Sequence, residues 1–182
     1  MTRVESEVNE VLNLRAGERV RVKSHQEVLA TLDQEGMLDR LPFMPEMFQY
    51  CGCEFRVFKQ ADKTCDTIEK SGGRRMVHAV HLEGSRCDGS AHGGCGAQCL
   101  MFWKEAWLER TVSGEISPVT RESGFLRAAR SSAPLTGEQL LATTTRPSVD
   151  GSAAGDVFLC QVTEIKNFTT PMSSWDIRHF GN

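Results

Sequence analysis

A glycine-rich loop that carries three cysteines constrains this chain more than any other feature of its sequence. The segment RCDGSAHGGCGAQC places Cys87, Cys95 and Cys99 in a C-x7-C-x3-C arrangement. Its glycines allow the backbone to turn tightly and leave N–H groups free to bond to sulfur. Because thiolates are strong ligands for zinc and for iron–sulfur clusters, the segment predicts a metal-binding loop over residues 84–99.

The composition favours a soluble cytoplasmic protein over other classes. The chain has 182 residues, a formal charge of −3 and seven cysteines. It has no apolar run near the ~20 residues that a membrane span needs, and its first residues lack the apolar region of a signal peptide. A near-neutral charge provides no general attraction to nucleic acid or to anionic membranes. In a reducing compartment, clustered cysteines indicate a metal site or reactive thiols before disulfides.

We predict that the metal ligands are four cysteines, namely Cys65, Cys87, Cys95 and Cys99. Their spacing lacks the C-x2-C pairs of common zinc sites and the C-x2-C-x2-C run of ferredoxins, so it does not identify the metal. Zinc is slightly favoured, because it is the usual ion of closed four-thiolate sites, and a [4Fe–4S] cluster is the alternative. A redox thiol pair and plain buried cysteines are further interpretations of the same residues.

Two histidines are candidates for a catalytic role. His92 lies inside the cysteine loop, where it can act as a ligand, as a hydrogen-bond donor to a ligand, or as an acid–base group. His78 and His81 are three apart on a predicted strand and therefore point to opposite faces. His81 is the closer of the two to the loop, so we predict that His81 serves the site together with His92.

The remaining three cysteines receive different predictions. Cys51 and Cys53 flank a single glycine, which is typical of a turn, and two thiolates at this spacing can alternatively chelate a metal. Cys160 ends an apolar run, and we expect it in the core, with a strand that carries it to the site as the alternative.

Sequence periodicity predicts several short elements. We expect strands over residues 19–23, 54–59, 76–82 and 156–165. Ser24 and Glu27 form a capping box that begins a helix ending at Gly36. Pro45 begins a helical turn, and Ser71 to Gly73 form a turn between strands.

The segment after the cysteine loop has apolar residues at helical spacing. Leu100, Trp103 and Trp107 predict an amphipathic helix over residues 97–110. Such a helix would place Cys95 and Cys99 one turn apart on the same face. Its N-terminus would lower the pKa of these thiols.

Together these elements indicate an α+β fold with a small curled sheet. Residues 1–16 form an N-terminal helix or arm, and residues 17–182 form a single domain with a flexible insertion at about 111–155. The run GERVRV, followed later by FRVFK, resembles the first strands of SH3-like barrels in nitrile hydratase β-subunits. This resemblance implies an SH3-like sheet or barrel, from which the cysteine loop leads into one amphipathic helix.

Four stretches of the chain resemble a family of bacterial hypothetical proteins without a settled activity. The stretches are LPFMPEMFQYCG, FRVFKQADKTCDTIE, RRMVHAVHLEGSRCDGSAHGGCGAQCLMFWKEAWL and FLCQVTEIKNFTTPMSSWDIRHF. Together they cover close to half of the chain, and the stretch that contains the cysteine loop is the most specific. The family occurs in gene neighbourhoods for specialised metabolites or surface polysaccharides. The resemblance therefore implies a protein that acts on, or helps to make, an unusual small molecule.

Two functions from different classes fit these observations. The first is a non-enzymatic metal-site protein, whose structural zinc module binds a small-molecule intermediate or a partner biosynthetic enzyme. The second is a small metalloenzyme, or a redox or sulfur-transfer enzyme, that uses the cysteine-rich site and His92. A thiol-based version of the second would use Cys95 or Cys99 as its nucleophile. Neither function needs a nucleic-acid or membrane partner.

Overall fold

The computed structural model of this protein describes residues 11–111, 135–146 and 157–173. Short strands and short helices alternate along these residues, which confirms the α+β class. The strands are β1 (Arg19–Val22), β2 (Met37–Leu38), β3 (Leu41–Pro42), β4 (Glu54–Gln60), β5 (Thr64–Asp66), β6 (Gly72–Arg75), β7 (Ala79–Leu82), β8 (Trp103–Lys104), β9 (Leu108–Arg110), β10 (Thr145–Arg146), β11 (Val157–Phe158) and β12 (Thr170–Pro171). The helices are α1 (His25–Leu29), α2 (Gly137–Thr143) and α3 (Ile165–Phe168), with 3₁₀ turns at Pro45–Tyr50 and Glu105–Trp107. None of the helices in these residues is long and apolar enough to cross a membrane.

A five-stranded antiparallel sheet, in the order β8-β7-β4-β1-β9, forms the centre of the fold. Its register pairs Val20 of β1 with Phe55 of β4 and Val22 with Leu108 of β9. Val20 and Val22 are fully buried, because alternate residues of a strand point to the same face. The sheet is open, and the described residues form no closed barrel, so the SH3-like similarity stays a prediction.

Three smaller sheets surround this centre, in the orders β12-β6-β5, β2-β3 and β10-β11. Arg74 of β6 is buried and ties the end of α3 to its sheet. Its guanidinium donates to the hydroxyl of Thr169 at 2.6 Å and to the carbonyl of the same residue at 2.9 Å. This contact keeps the segment that follows Cys160 close to the rest of the domain.

Aromatic side chains fill the core beside the central sheet. Phe43 packs edge-to-face against both Trp103 and Trp107, with ring centroids 6.2 and 5.1 Å apart. Each buried indole N–H has an acceptor, since Trp103 donates to the Ser85 hydroxyl and Trp107 donates to the Thr31 hydroxyl. Satisfied indoles of this kind can be buried without leaving a polar group unpaired.

Several predicted elements are confirmed at or near their predicted positions. β1 and β4 match the alternating segments, and the Ser24–Glu27 capping box begins α1. That helix ends at Leu29 and does not continue to Gly36. Pro45 begins a 3₁₀ turn, as a proline at the first helical position favours.

The predicted helix over residues 97–110 is wrong. The chain runs as a loop to β8, turns through a 3₁₀ segment and leaves in β9. An amphipathic helix requires a solvated side, yet Lys104 and Glu105 are both buried. The carboxylate of Glu105 accepts the backbone N–H groups of Asn13 and Leu14, which holds residues 13 and 14 against the domain. Cys95 and Cys99 are therefore not a helical pair, and no helix N-terminus acts on their thiols.

Other boundaries also differ from the predictions. The third strand begins at Ala79 rather than at residue 76. The turn predicted at residues 71–73 is wrong, because Gly72 and Gly73 belong to β6. The long strand predicted over residues 156–165 is reduced to β11, which is followed by turns and α3. Residues 1–10 of the predicted N-terminal helix and most of the predicted insertion lie outside the described residues. The described part of the insertion contains α2.

Candidate metal centre

Three donor groups from two distant parts of the chain meet at one point. One ligand atom from each of Glu46, Cys87 and His92 lies within 4.8 Å of the other two. The Cys87 thiol is 3.3 Å from Oε1 of Glu46 and 3.6 Å from Nε2 of His92. Nδ1 of His92 is 3.0 Å from the same Glu46 oxygen. A thiol, an imidazole and a carboxylate this close together could hold a metal ion.

Glu46 reaches this point from the 3₁₀ turn over Pro45–Tyr50. Met44, just before the turn, and Met47, within it, are both buried, so the short segment is packed against the core and carries Glu46 inward. The Gln49 amide donates to the Glu46 carbonyl at 2.9 Å and stabilises the turn. The carboxylate side chain consequently has no exposed surface.

The cysteine loop is closed at its base by backbone contacts. The N–H of Cys87 donates to the carbonyl of Cys99 at 3.0 Å, and Arg86 pairs with Leu100 in an isolated antiparallel bridge. The guanidinium of Arg86 also donates to the carbonyl of Gln98 at 2.9 Å. These contacts hold the first and last cysteines of the loop side by side.

A tight turn at Gly89 folds His92 back towards Cys87. The carbonyl of Gly89 accepts the N–H of His92 at 3.1 Å and the N–H of Gly94 at 2.9 Å. Gly89 has a φ of +74°, and a Cβ at this position would collide with the backbone of Cys95. The glycine is thus required both for its backbone conformation and for the close approach of Cys95.

The buried polar atoms of the group are not satisfied by the protein alone. The side chain of His92 is only 6% exposed, and Oε2 of Glu46 has no hydrogen-bond partner in the part of the chain that the structure describes. His92 Nδ1 is near Glu46 Oε1, but the two are not aligned for a hydrogen bond, so this nitrogen is also unpartnered. Unpaired buried groups of this kind are rare and costly. A cation bound between them would supply the missing interaction.

A cavity of about 210 Å³ adjoins the group. Cys87 and His92 form part of its wall, and Cys95, Cys99 and Cys160 line it as well. The rest of the wall is largely apolar, with Met44, Leu100, Met101 and Val162 among its members. One cavity therefore gathers four of the seven cysteines.

Two of the thiols that line the cavity, Cys87 and Cys99, have raised pKa values. Burial, with smaller contributions from Glu46 and Cys160, raises the pKa of Cys87 to about 12. Burial also raises the pKa of Cys99, and the nearby thiols of Cys160 and Cys95 add to that effect. For Cys99, the structure therefore shows a raised pKa where the sequence predicted a lowered one.

Only some of the residues that were predicted to form the site lie close together in the structure. Cys87 and His92 belong to the group, and Cys95 and Cys99 line the cavity beside it. Cys65 is exposed on β5 and is not among the residues that line the cavity. His81 is buried, with its Nδ1 2.9 Å from the Met101 carbonyl and its ring against Phe102; it is not part of the group.

Cys160 and Glu46 were not assigned to the site from the sequence. Cys160 is half-buried at the edge of the core and not inside it, and it lines the cavity. Glu46 was not predicted at all. The signal for Glu46 is a single carboxylate in the apolar run LPFMPEMF, where an acidic side chain is hard to keep in solvent.

Comparison with protein-family models, with curated proteins and with solved structures finds no match to this chain. The chemistry of the site is therefore judged from its own atoms.

Proposed function

We propose that this protein is a metal-site protein that holds a zinc ion between Glu46, Cys87 and His92. The observation that carries the proposal is the buried group of three donors with an unpartnered carboxylate oxygen. Cys, His and Glu are all zinc ligands, and the mixture of sulfur, nitrogen and oxygen suits this borderline-soft ion. Among the described residues, Glu46 Oε2 and His92 Nδ1 have no hydrogen-bond partner that could replace such an ion.

The distances within the group support a tetrahedral ion. Zinc bonds of about 2.0 to 2.3 Å place neighbouring ligand atoms about 3.3 to 3.6 Å apart in a tetrahedral shell. The Cys87 sulfur lies 3.3 Å from the Glu46 oxygen and 3.6 Å from the His92 Nε2. The Glu46 oxygen faces the other ring nitrogen, Nδ1, at 3.0 Å, so the imidazole or the carboxylate must also turn before all three groups can bind one ion. Three protein ligands leave a fourth position for water or a substrate, as in catalytic zinc sites, where the ion polarises the bound molecule.

A [4Fe–4S] cluster bound by the four predicted cysteines has less support than zinc. Such a cluster is held by four thiolates, and the predicted set included Cys65. Cys65 is exposed on β5 and is not among the residues that line the cavity shared by the other three thiols. The carboxylate and imidazole beside Cys87 also have no place in a four-thiolate set.

The same three residues resemble a thiol nucleophile with its base and an orienting acid. Cys87 faces one ring nitrogen of His92, and Glu46 faces the other. Two observations oppose that function. The pKa of Cys87 is raised to about 12, mainly by burial, and Glu46 contacts the thiol itself, which further disfavours a free thiolate. A bound cation removes both difficulties, because it stabilises the thiolate and neutralises the carboxylate.

The biological setting of the proposal comes from the sequence. All seven cysteines are free, which fits a protein of the reducing cytoplasm. We propose a role in a bacterial specialised-metabolite pathway, with a small-molecule intermediate or a partner biosynthetic enzyme as the partner. The SH3-like similarity belongs to the same proposal and is supported by the antiparallel pairing of β1 with β4.

The proposal is tested by the metal content of protein purified anaerobically without chelators. We expect bound zinc and no broad visible absorption. Glu46→Gln and His92→Ala should each lower zinc affinity at least ~10-fold, the usual scale for losing a ligand or its orienting partner. Cys65→Ser is the matched control, because it removes an exposed thiol outside the group.

Two results would contradict this function. Zinc content that is unchanged in the Glu46 and His92 variants would remove these residues as ligands. Brown protein with iron and inorganic sulfide, bleached by dithionite, would replace zinc with the cluster.

A further inference from the structure

We propose a second metal site next to the first, in which Cys95, Cys99 and Cys160 bind a soft, thiophilic metal ion. These three thiols line the same cavity as Cys87 but stand outside the group of Glu46, Cys87 and His92. Thiolate ligands select ions such as Cu(I) and Zn(II) over hard cations. Cys160 becomes a ligand under this proposal although it lies far from the cysteine loop in the sequence.

The thiols are the main groups of the cavity wall that could bind a ligand. The buried amide of Gln161 is fully used, since it accepts from the Phe102 N–H and donates to the carbonyls of Phe102 and Pro42. The hydroxyl of Thr163 is likewise occupied by the backbone of Cys160. Apart from His92 and Gln98, a ligand that enters the cavity therefore meets thiols and largely apolar side chains, which suits a soft ion better than a polar metabolite.

Independent elements hold two of the three thiols in place. Cys99 is fixed at the base of the loop by the hydrogen bond from the Cys87 N–H to its carbonyl. Cys160 lies in a turn that Gln161 anchors to β3 and to the residue before β8. Cys160 lies close enough to Cys99 to raise the pKa of the Cys99 thiol, although burial is the larger cause.

Cys95 is the ligand that must move. In the described residues, only the group of Glu46, Cys87 and His92 has its donor atoms within 4.8 Å of one another, so the three thiols are less tightly gathered. Cys95 is exposed and lies between Gly94 and Gly96, and a Cβ at either glycine would meet open space. Because the Cys95 backbone packs closely against Gly89, the approach to the other two thiols is made by the Cys95 side chain. Binding converts each thiol to a thiolate and releases one proton from each.

The proposal is tested by adding Cd²⁺ to protein that already holds zinc, under anaerobic conditions. Sulfur-to-cadmium charge-transfer absorption reports thiolate binding, and elemental analysis after desalting reports how much zinc is retained. We expect one further equivalent of Cd²⁺ with the zinc retained. Cys99→Ser and Cys160→Ser should lose most of the Cd²⁺ uptake and keep the zinc, whereas Cys65→Ser should behave as the wild type.

The outcomes separate this site from the first one. If zinc-loaded protein binds no further Cd²⁺, or if Cys160→Ser binds it fully, the second site is wrong. Loss of zinc from Cys160→Ser would also overturn the second site, because a single centre would then use both sets of ligands. A single iron–sulfur cluster that is lost when either Cys87 or Cys160 is substituted would overturn it for the same reason. If His92→Ala lacks zinc but still takes up Cd²⁺, the second site stands. If the wild type binds Cd²⁺ through the three thiols but never holds zinc, the proposed function fails while this inference survives.

Discussion

At the scale of single residues, the site depends on burying groups that are costly to bury. A carboxylate without exposed surface and an imidazole that is 6% exposed lie against a thiol. Burial of such groups requires partners, and Glu46 Oε2 has none among the described residues. Cys87 and His92 were predictable because their glycine-rich loop with three cysteines is typical of a metal-binding segment. Glu46 was not, because it is 41 residues upstream of Cys87, and only the folded turn reveals its contact.

His81 has a structural role that a pH titration can measure. Nδ1 lies 2.9 Å from a carbonyl oxygen, which can only accept, so this nitrogen carries the proton and donates. Burial lowers the pKa of His81 below its ordinary value of about 6.5. A lowered folded-state pKa means that the stabilisation is complete above pH ~6.5 and is lost as the pH falls through the folded-state pKa.

We therefore expect His81→Asn, which keeps a donor near Nδ1 but cannot be protonated, to be less sensitive to acid. Urea unfolding of metal-free protein at pH 7 and pH 5 measures the effect. Each unit by which the folded-state pKa lies below the unfolded value contributes about 1.4 kcal/mol at low pH. The exposed His78→Asn is the control and should follow the wild type. Equal acid sensitivity in wild type and His81→Asn would show that His81 is not the group responsible.

At the scale of elements, the loop was predictable and the segment after it was not. Glycine spacing identified the loop because tight turns need residues that accept a positive φ. The spacing of Leu100, Trp103 and Trp107 is typical of a helix, but a strand, a 3₁₀ turn and another strand produce the same spacing. The difference lies in Lys104 and Glu105, which are buried with partners of their own: Lys104 donates to Asp39 at 2.9 Å, and Glu105 accepts backbone N–H groups. The partners of Lys104 and Glu105 cannot be predicted from sequence periodicity.

Two glycines of the loop provide a matched pair for testing its geometry. Gly89 and Gly94 have similar φ values, +74° and +70°, so alanine pays a similar left-handed strain of roughly 1–2 kcal/mol at each. A Cβ at Gly89 would also collide with the Cys95 backbone, whereas a Cβ at Gly94 would meet nothing within 4 Å. Gly89→Ala and Gly94→Ala should therefore have a similar free-energy cost from the left-handed backbone, and only Gly89→Ala should add a steric clash.

We expect Gly94→Ala to lose stability by about the left-handed strain alone and to keep its zinc. Gly89→Ala should be destabilised further and should bind zinc more weakly, because the turn that carries His92 depends on the Gly89 carbonyl. Urea midpoints and zinc content measure both effects. If the two variants are indistinguishable, the close packing of Gly89 against Cys95 does not matter for the site.

At the scale of the whole molecule, the site is assembled from three segments that are distant in the sequence. The turn at Pro45–Tyr50 supplies Glu46, the cysteine loop supplies Cys87 and His92, and the turn after β11 brings Cys160 to the shared cavity. Strand positions such as β1 and β4 were predictable from alternation. Which strands pair, and which loops meet, depends on long-range packing, for example the hydrogen bonds of Gln161 to Phe102 and Pro42. This explains why Cys160 was assigned to the core and Cys65 to the site.

Zinc-edge X-ray absorption of protein that holds one zinc ion per chain tests the central claim most directly, because it reads the ligand atoms themselves. A centre built from Glu46, Cys87 and His92 predicts one sulfur at about 2.3 Å and nitrogen or oxygen neighbours at about 2.0 to 2.2 Å. The sulfur contribution should disappear in Cys87→Ser and persist in Cys65→Ser. A shell made only of sulfur would contradict the assignment of Glu46 and His92 as ligands.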